Sequence, residues 1–368
     1  MSVEELDPVL ARPGEMICVC GPAGAASEDV DRRSLWKLSL GFGLSVLAQA
    51  LVLSQLPDAA RLIAPSAERV GWPFALLLVG AALASFPAAL LADAYGRRSA
   101  FALGASLGVA GGALGVHAVA NANFYALCLS AFWLGLAQGF GLFYRHIAAL
   151  GSALPAQGGL VVFAGGALAA IAAPPVTLLG VSLGGGAGPT LLCAAILYVL
   201  SLALAVRLPH AFGEGRQDVA ASGLSARFVL LTIAGAAAWF LMAAAMLHGP
   251  LSLSLCRAAP SFIGGAMAWH LLAMYGPAAL AARWPTLFPP LPSLGVGLAT
   301  MALVFWGLVT ATSPSAIAIG LMAIGAAWSL ANVGTLRLLH EQGRVSRAAL
   351  AAHDLCLLAA AAAGALAF

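Results

Sequence analysis

Long apolar runs separated by short polar breaks occupy most of this chain of 368 residues. Each run has about 20 residues, the length that an α-helix needs to cross the hydrocarbon core of a bilayer. A membrane strand would be shorter and would alternate apolar with polar positions. The pattern predicts an all-α polytopic membrane protein with about 11 transmembrane helices, at 35–56, 72–92, 99–119, 123–144, 159–182, 188–206, 228–254, 261–283, 291–310, 314–335 and 347–367.

Two polar segments divide the chain into regions. Residues 1–34 contain seven of the 14 acidic residues and show no apolar periodicity, so they are predicted to form a disordered cytoplasmic N-terminal tail. The longest internal break, 207–227, is predicted to be a cytoplasmic central loop. It separates an N-terminal half of six helices, 35–206, from a C-terminal half of five helices, 228–368.

The composition excludes several classes of function. Hydrophobic residues make up 62% of the chain and charged residues 8%, with a mean hydropathy of +0.97, which leaves too little polar surface for a soluble protein or a nucleic-acid-binding protein. The sequence contains no paired carboxylates, no catalytic serine–histidine–aspartate set and no phosphate-binding glycine loop. It therefore predicts neither an enzyme nor a permanently bound cofactor.

The net charge of +3 is small, but the basic residues are unevenly distributed. With a cytoplasmic N-terminus, 14 lysine and arginine residues fall in inside segments, whereas Arg61, Arg69 and Arg257 fall outside. Such an excess in short loops is typical of the cytoplasmic side of a membrane. The expected location is a bacterial plasma (inner) membrane, within the lipid bilayer, with a cytoplasmic N-terminus and a periplasmic C-terminus.

The loop between the second and third predicted helices contains Asp93, Gly96, Arg97 and Arg98. Their spacing, together with six helices before the central loop and five after it, resembles the major facilitator superfamily with its twelfth helix missing. The resemblance implies two pseudo-symmetric helical halves around a midplane site and makes these four residues a gating loop. The face where a twelfth helix would pack is an expected contact for a membrane-protein partner.

Ionisable side chains are scarce within the predicted helices. Every aspartate, glutamate, lysine and arginine is expected in a loop or near a helix end, which disfavours a carrier driven through a buried carboxylate. Arg145 is expected to be an orientation anchor at a helix end. His353 is expected to be solvated or to cap a helix.

Sulfur and imidazole side chains are concentrated in the seventh and eighth predicted helices. Met242 and Met246 form an i,i+4 pair, as do His270 and Met274, so each pair shares one helix face. Because the two helices are consecutive and antiparallel, the two faces are expected to meet at a point near the midplane. Thioethers and a neutral imidazole suit Cu(I), although methionine pairs also occur as ordinary core filling.

The stretch from Met242 to Pro277 resembles the CcoA-type copper importers, the CalT branch of the superfamily. Further blocks that carry the resemblance are Phe143-Tyr144-Arg145 with Gly165-Gly166 after it, Gly325-Ala-Ala-Trp328 before Asn332, and His353-Asp354. The resemblance implies that copper is the transported substrate. It also implies that the copper supplies assembly of a cbb-type haem–copper oxidase, and that the metal ligands are Met242, Met246, His270 and Met274.

Four further residues form a candidate metal relay: His248 and Cys256 at the outer end of the seventh helix, and Cys18 and Cys20 in the tail. Thiolates bind soft metals, although such residues also occur in loops without a metal role. Two alternatives to a copper importer stay open. One is a carrier of a small organic solute, in which the methionines are packing residues. The other is a non-transporting scaffold or assembly subunit of a membrane complex.

Overall fold

The computed structural model describes residues 27–152, 154–182, 186–208, 225–341 and 345–367. Cys18 and Cys20, most of the predicted tail and most of the predicted central loop lie outside these residues. The described residues form twelve α-helices and two short 3₁₀ turns, without any strand. The prediction of an all-α protein is confirmed.

The helices follow one another with short connections. In the N-terminal half they are α1 (Ser27–Ile63), α2 (Trp72–Ala120), α3 (Phe124–Leu142), α4 (Tyr144–Leu150), α5 (Pro155–Ala164), α6 (Gly166–Ser182) and α7 (Ala187–Ala205). In the C-terminal half they are α8 (Ala226–Leu255), α9 (Pro260–Arg283), α10 (Pro290–Thr310), α11 (Pro314–His340) and α12 (Arg347–Leu366). Residues 27–34, predicted to belong to the disordered tail, instead form the first turns of α1.

Nine segments within the described residues are long and apolar enough to cross a membrane. One of them, Ala67–Ala120, has 54 residues, far more than a single crossing needs. It turns at Gly96, where φ is +78° and ψ is 163°, a conformation that only glycine adopts without strain. Gly80 before the turn and Gly111 after it both lie against the middle of α3. The chain therefore folds back at Gly96, and α2 forms two of the predicted spans.

Small residues allow the helices within each half to approach closely. A Cβ added at Gly135 would lie 1.9 Å from the carbonyl oxygen of Leu77, so α3 touches the backbone of α2 there. A Cβ added at Gly364 would lie 2.2 Å from the carbonyl oxygen of Phe240, where α12 meets α8. Helices in a membrane associate through such close contacts because the lipid is as apolar as their side chains. The high glycine and alanine content thus serves helix packing.

The two ends of the bundle carry different charges. The Gly96 end contains the turn of α2, the α4–α5 connection and the link from α11 to α12, whereas the Cys256 end contains the α8–α9 connection. The arginines at the Gly96 end include Arg97, Arg98, Arg145, Arg207, Arg227, Arg283, Arg337 and Arg347, whereas the Cys256 end has Arg61, Arg69 and Arg257. This is the end that the arginine distribution predicts to be cytoplasmic.

The two halves meet along α2 and α12, and along α5, α6 and α9. Near the Gly96 end, the Gln157 side chain donates a hydrogen bond of 2.6 Å to the carbonyl oxygen of Ala282, from α5 to α9. Within the C-terminal half, α8 and α9 scarcely touch each other, because each packs against α11. The helix α11 therefore positions the residues at the centre of this half.

We expect Gly135→Ala to lower the thermal stability, because the added Cβ overlaps the Leu77 carbonyl; overpacking of a core costs about 1–3 kcal/mol. Gly295→Ala in α10 is the matched control, since nothing lies within 4 Å of its added Cβ, and it should be neutral or stabilising by about 0.5–1 kcal/mol. Thermal unfolding of the purified variants in detergent measures both effects. Equal melting temperatures for Gly135→Ala and the parent would contradict the packing described.

Candidate functional site

The imidazole of His270 is held against α11 with one ring nitrogen free. Its Nδ1 lies 2.6 Å from the carbonyl oxygen of Leu321, and since a carbonyl only accepts, Nδ1 carries the proton. A Cβ at Gly325 would lie 3.1 Å from this Nδ1, so the glycine makes room for the ring. The other nitrogen, Nε2, is buried and has no hydrogen-bond partner. It therefore presents a lone pair to the interior of the bundle.

Three methionines predicted as ligands lie in the same half. Met274, one turn beyond His270 on α9, is buried, as is Met242 on α8, and Met246 is half-buried. Because α11 packs against both α8 and α9, the two pairs lie on different helices around it rather than on directly facing helices. The assignment of the four residues as metal ligands stays a prediction.

An aromatic layer lies next to His270 and the three methionines, on the side that faces the Gly96 end. It is formed by Phe42, Phe163, Trp239, Tyr275 and Trp328. Trp328 is its centre, with ring centroids 5.3 Å from Trp239, 5.8 Å from Phe163 and 6.1 Å from Tyr275. Phe42 and Phe163 belong to the N-terminal half, so the layer joins both halves. The Trp239 indole nitrogen donates to the Asn332 Oδ1 at 3.1 Å, whereas the Trp328 indole nitrogen is buried without a partner.

Beyond the aromatic layer, nearer to the Gly96 end, lies an ionic cluster formed by Arg145, His146, His340, His353 and Asp354. The Arg145 Nη2 lies 2.5 Å from the Asp354 Oδ1, and the His146 Nε2 lies 3.1 Å from the same oxygen. The His146 Nδ1 is 3.3 Å from the His340 Nε2. The cluster connects α4 of one half with α11 and α12 of the other, so it ties the halves together.

The ionic cluster overturns three sequence-based expectations. Asp354 is only 2% exposed and Arg145 only 4%, so a carboxylate is buried among the spans and Arg145 is a buried ion-pair partner rather than an orientation anchor at a helix end. His353 is buried as well, with its Nδ1 2.9 Å from the Thr232 Oγ1. A sequence signal was present, since His353 and Asp354 stand together within an otherwise apolar run, where an ionisable residue is costly and usually functional.

The predicted gating loop is found at the turn of α2. Asp93 forms an ion pair with Arg347 at the start of α12, and so links the two halves at the Gly96 end. The Arg97 Nη2 lies 3.5 Å from the Ser34 Oγ on α1, and Arg98 is half-buried beside it. The ion pair of Asp93 and the ionic cluster together close the Gly96 end.

Two of the four predicted relay residues, His248 and Cys256, belong to the part of the chain that the structure describes. Both lie at the Cys256 end. The His248 Nε2 is 3.1 Å from the Ser252 Oγ on the same helix. The Cys256 thiol is 3.5 Å from the Thr312 carbonyl oxygen. Both residues follow Met246 along α8 toward this end, and their role as a relay stays a prediction.

We expect Arg145→Leu to destabilise the protein by about 3–5 kcal/mol, because it leaves the Asp354 carboxylate buried without its counter-ion. The double variant Arg145→Leu/Asp354→Leu should lose less stability than Arg145→Leu alone, since neither buried charge remains. Glu341→Leu is the control, because its partner Arg337 lies on the same helix and the pair is partly exposed; it should change stability by less than about 1 kcal/mol. Thermal unfolding in detergent measures all three, and strictly additive effects in the double variant would argue against the ion pair.

Comparison with known proteins gives the family context of this arrangement. Residues 32–144 match the family model of the sugar (and other) transporters. A relative is the riboflavin transporter RfnT of Brucella anthropi, 25% identical over 283 residues, which cover 74% of this chain and 71% of the relative. Neither description names copper, so the copper-importer branch stays a prediction.

Solved structures share the architecture at low sequence identity. The proton:xylose symporter XylE, of the major facilitator superfamily, superposes with a TM-score of 0.72 and 14% identity, covering 92% of this chain and 88% of that one. The human organic anion transporter MFSD10 gives a TM-score of 0.67 and 18% identity, covering 92% of both chains. At such identities the likeness shows the fold alone. The chain is therefore a multi-pass membrane protein that shares the fold of the major facilitator transporters.

Proposed function

We propose that this transporter carries copper, as Cu(I), from the Cys256 end to the Gly96 end by alternating access, with Met242, Met246, His270 and Met274 as ligands. The observation that carries the proposal is the ring of His270. A metal-binding histidine commonly donates its second ring N–H to a backbone carbonyl, which fixes the tautomer and directs the other nitrogen at the metal. His270 has this arrangement, with Leu321 as acceptor and a buried, unpartnered Nε2.

The neighbouring side chains fit a soft, singly charged cargo. Met274 shares the helix face of His270, and Met242 is buried in the same core. Thioethers and a neutral imidazole bind Cu(I) without adding charge, so the ion can be bound and released. In the proposed cycle, the rocking of the two halves brings the α8 and α9 ligands to one ion and then exposes it at the opposite end.

The proposal includes the direction of copper transport and the use of the copper in the cell. The aromatic layer and the ionic cluster lie between His270 and the Gly96 end, which supports loading from the Cys256 end. With the Gly96 end in the cytoplasm, this is import. The use of the copper in a cbb-type haem–copper oxidase is proposed on the resemblance to the CcoA-type importers.

The test is uptake of radiolabelled copper by cells that lack their own importer, at matched membrane levels of each variant. We expect His270→Ala and Met242→Leu to reduce uptake by about tenfold or more, because each removes a ligand. Met301→Leu is the matched control: Met301 on α10 is fully buried but outside the motif, and this swap should be tolerated. If His270→Ala takes up copper at the parental rate, His270 is not a ligand and the proposed site is wrong.

A second candidate function is transport of a planar heteroaromatic solute, favoured by the aromatic layer. The Trp328 indole N–H is buried without an acceptor, and aromatic rings around it offer stacking surfaces. The relative RfnT, described as a riboflavin transporter, makes riboflavin the first solute to test.

Riboflavin uptake in the same cells distinguishes the two candidates. If riboflavin is the cargo, Trp328→Phe should weaken uptake by about three- to tenfold, because one hydrogen bond to the solute is lost. Trp306→Phe is the control, since Trp306 lies exposed on α10, and His270→Ala should have little effect. A failure to transport either compound would favour the scaffold alternative.

A further inference from the structure

Residues 284–291, which join α9 to α10 and are called here the apolar connection, lie at the Gly96 end. Trp284, Leu287 and Leu291 are 48%, 71% and 69% exposed, and the sequence contains no charged residue from 284 to 310. The gating loop joins the second and third spans of the N-terminal half as this segment does in the C-terminal half, yet it is charged. Large apolar side chains exposed together in one short segment indicate contact with an apolar partner.

The backbone of the apolar connection offers few hydrogen-bond donors to water. Its residues without a backbone N–H are Pro285, Pro289 and Pro290. The N–H groups that donate to nearby backbone carbonyls are those of Trp284, Leu287 and Phe288. Irregular backbone is stable in a region with little water only where its polar groups are bonded within the protein. The apolar connection meets this condition on the donor side.

Arg337 on α11 satisfies backbone carbonyls of the same segment. Its Nη1 donates to the carbonyl oxygen of Pro285 at 2.8 Å and to that of Phe288 at 2.6 Å. The guanidinium also pairs with the Glu341 Oε1, 2.7 Å from its Nη2. Arg337 therefore holds the apolar connection in one conformation, in which backbone carbonyls are bonded while the three large apolar side chains stay exposed.

A guanidinium stands beside these apolar side chains. Arg283, the last residue of α9, is exposed, and its Cζ lies 5.6 Å from the centre of the Trp284 ring. Among the described residues it forms no ion pair with a carboxylate. A guanidinium binds phosphate through paired N–H donors, and tryptophan is enriched where lipid tails meet headgroups. A lipid phosphate is therefore a counter-charge that fits this position.

We propose that the apolar connection inserts into the lipid leaflet at the Gly96 end, with Arg283 bound to the phosphate of an anionic phospholipid. The three exposed side chains lie where α9 ends and α10 begins, at the edge of two apolar spans, so they continue the lipid-facing surface. The arginine distribution predicts this end to be cytoplasmic, and the cytoplasmic leaflet is the one rich in anionic lipids. The gating loop instead contacts the other half, through Asp93 and Arg347.

The first test measures the depth of the apolar connection in the full chain, reconstituted in lipid nanodiscs. The six native cysteines are replaced by alanine, and a nitroxide is attached at Leu287→Cys. Its collision rate with oxygen, which concentrates in lipid, is divided by that with a water-soluble nickel complex. Ala94→Cys, at an exposed position of the gating loop at the same end, is the matched control. We expect the ratio to be about tenfold higher at position 287, and equal ratios at the two positions would overturn the proposal.

The second test compares melting temperatures in nanodiscs of phosphatidylcholine alone and with phosphatidylglycerol added. We expect the anionic lipid to raise the melting temperature of the parent by about 2 °C or more, because it binds the folded state. Arg283→Gln should lose most of this rise. Arg61→Gln is the control and should keep it, since Arg61 lies at the other end and already pairs with Asp58.

Three results would overturn the assignment of an anionic phospholipid to Arg283. These are a parental melting temperature that does not respond to phosphatidylglycerol, a full rise in Arg283→Gln, and an equal rise when inorganic phosphate is added to discs of phosphatidylcholine. The last result would assign the position to a soluble anion. Neither test needs a cargo, so both are independent of the copper and riboflavin assays.

Discussion

The ion pair of Arg145 and Asp354 is the contact on which the closed arrangement of the two halves depends. Both side chains are almost completely buried, and neither charge is stable in that position without the other. Their helices belong to different halves, so the pair exists only while the halves are closed at the Gly96 end. Any opening there must bring water to both groups, because neither charge is stable when it is buried alone.

One face of α11 contacts, in order along the helix, His270, the aromatic layer and the ionic cluster. Gly325, Trp328, Asn332 and Thr335 follow one another at intervals of three or four residues, which places them on one side of the helix. Gly325 makes room for His270, Trp328 centres the aromatic layer, and Thr335 lines the cavity of the ionic cluster. The proposed cargo site and the ionic cluster are therefore held at a fixed separation by a single rigid element.

The two candidate cargoes make different demands on this arrangement. A copper ion needs the free Nε2 of His270 and soft neighbours, and it gains nothing from an indole N–H. A planar solute needs ring faces and the unpartnered Trp328 nitrogen, and it can ignore the methionines. Both unsatisfied atoms lie near α11, so the same rocking motion would expose either site in turn.

The apolar runs and their spacing by themselves determined the helices and the break between the two spans of α2, because a bilayer accepts only continuous apolar helices. They also located the i,i+4 pairs, since helical periodicity is local. The sequence did not reveal that Arg145 meets Asp354, 209 positions away, or that α11 separates α8 from α9. Those relations depend on how whole helices pack across the two halves, and only the tertiary structure decides which helix faces meet.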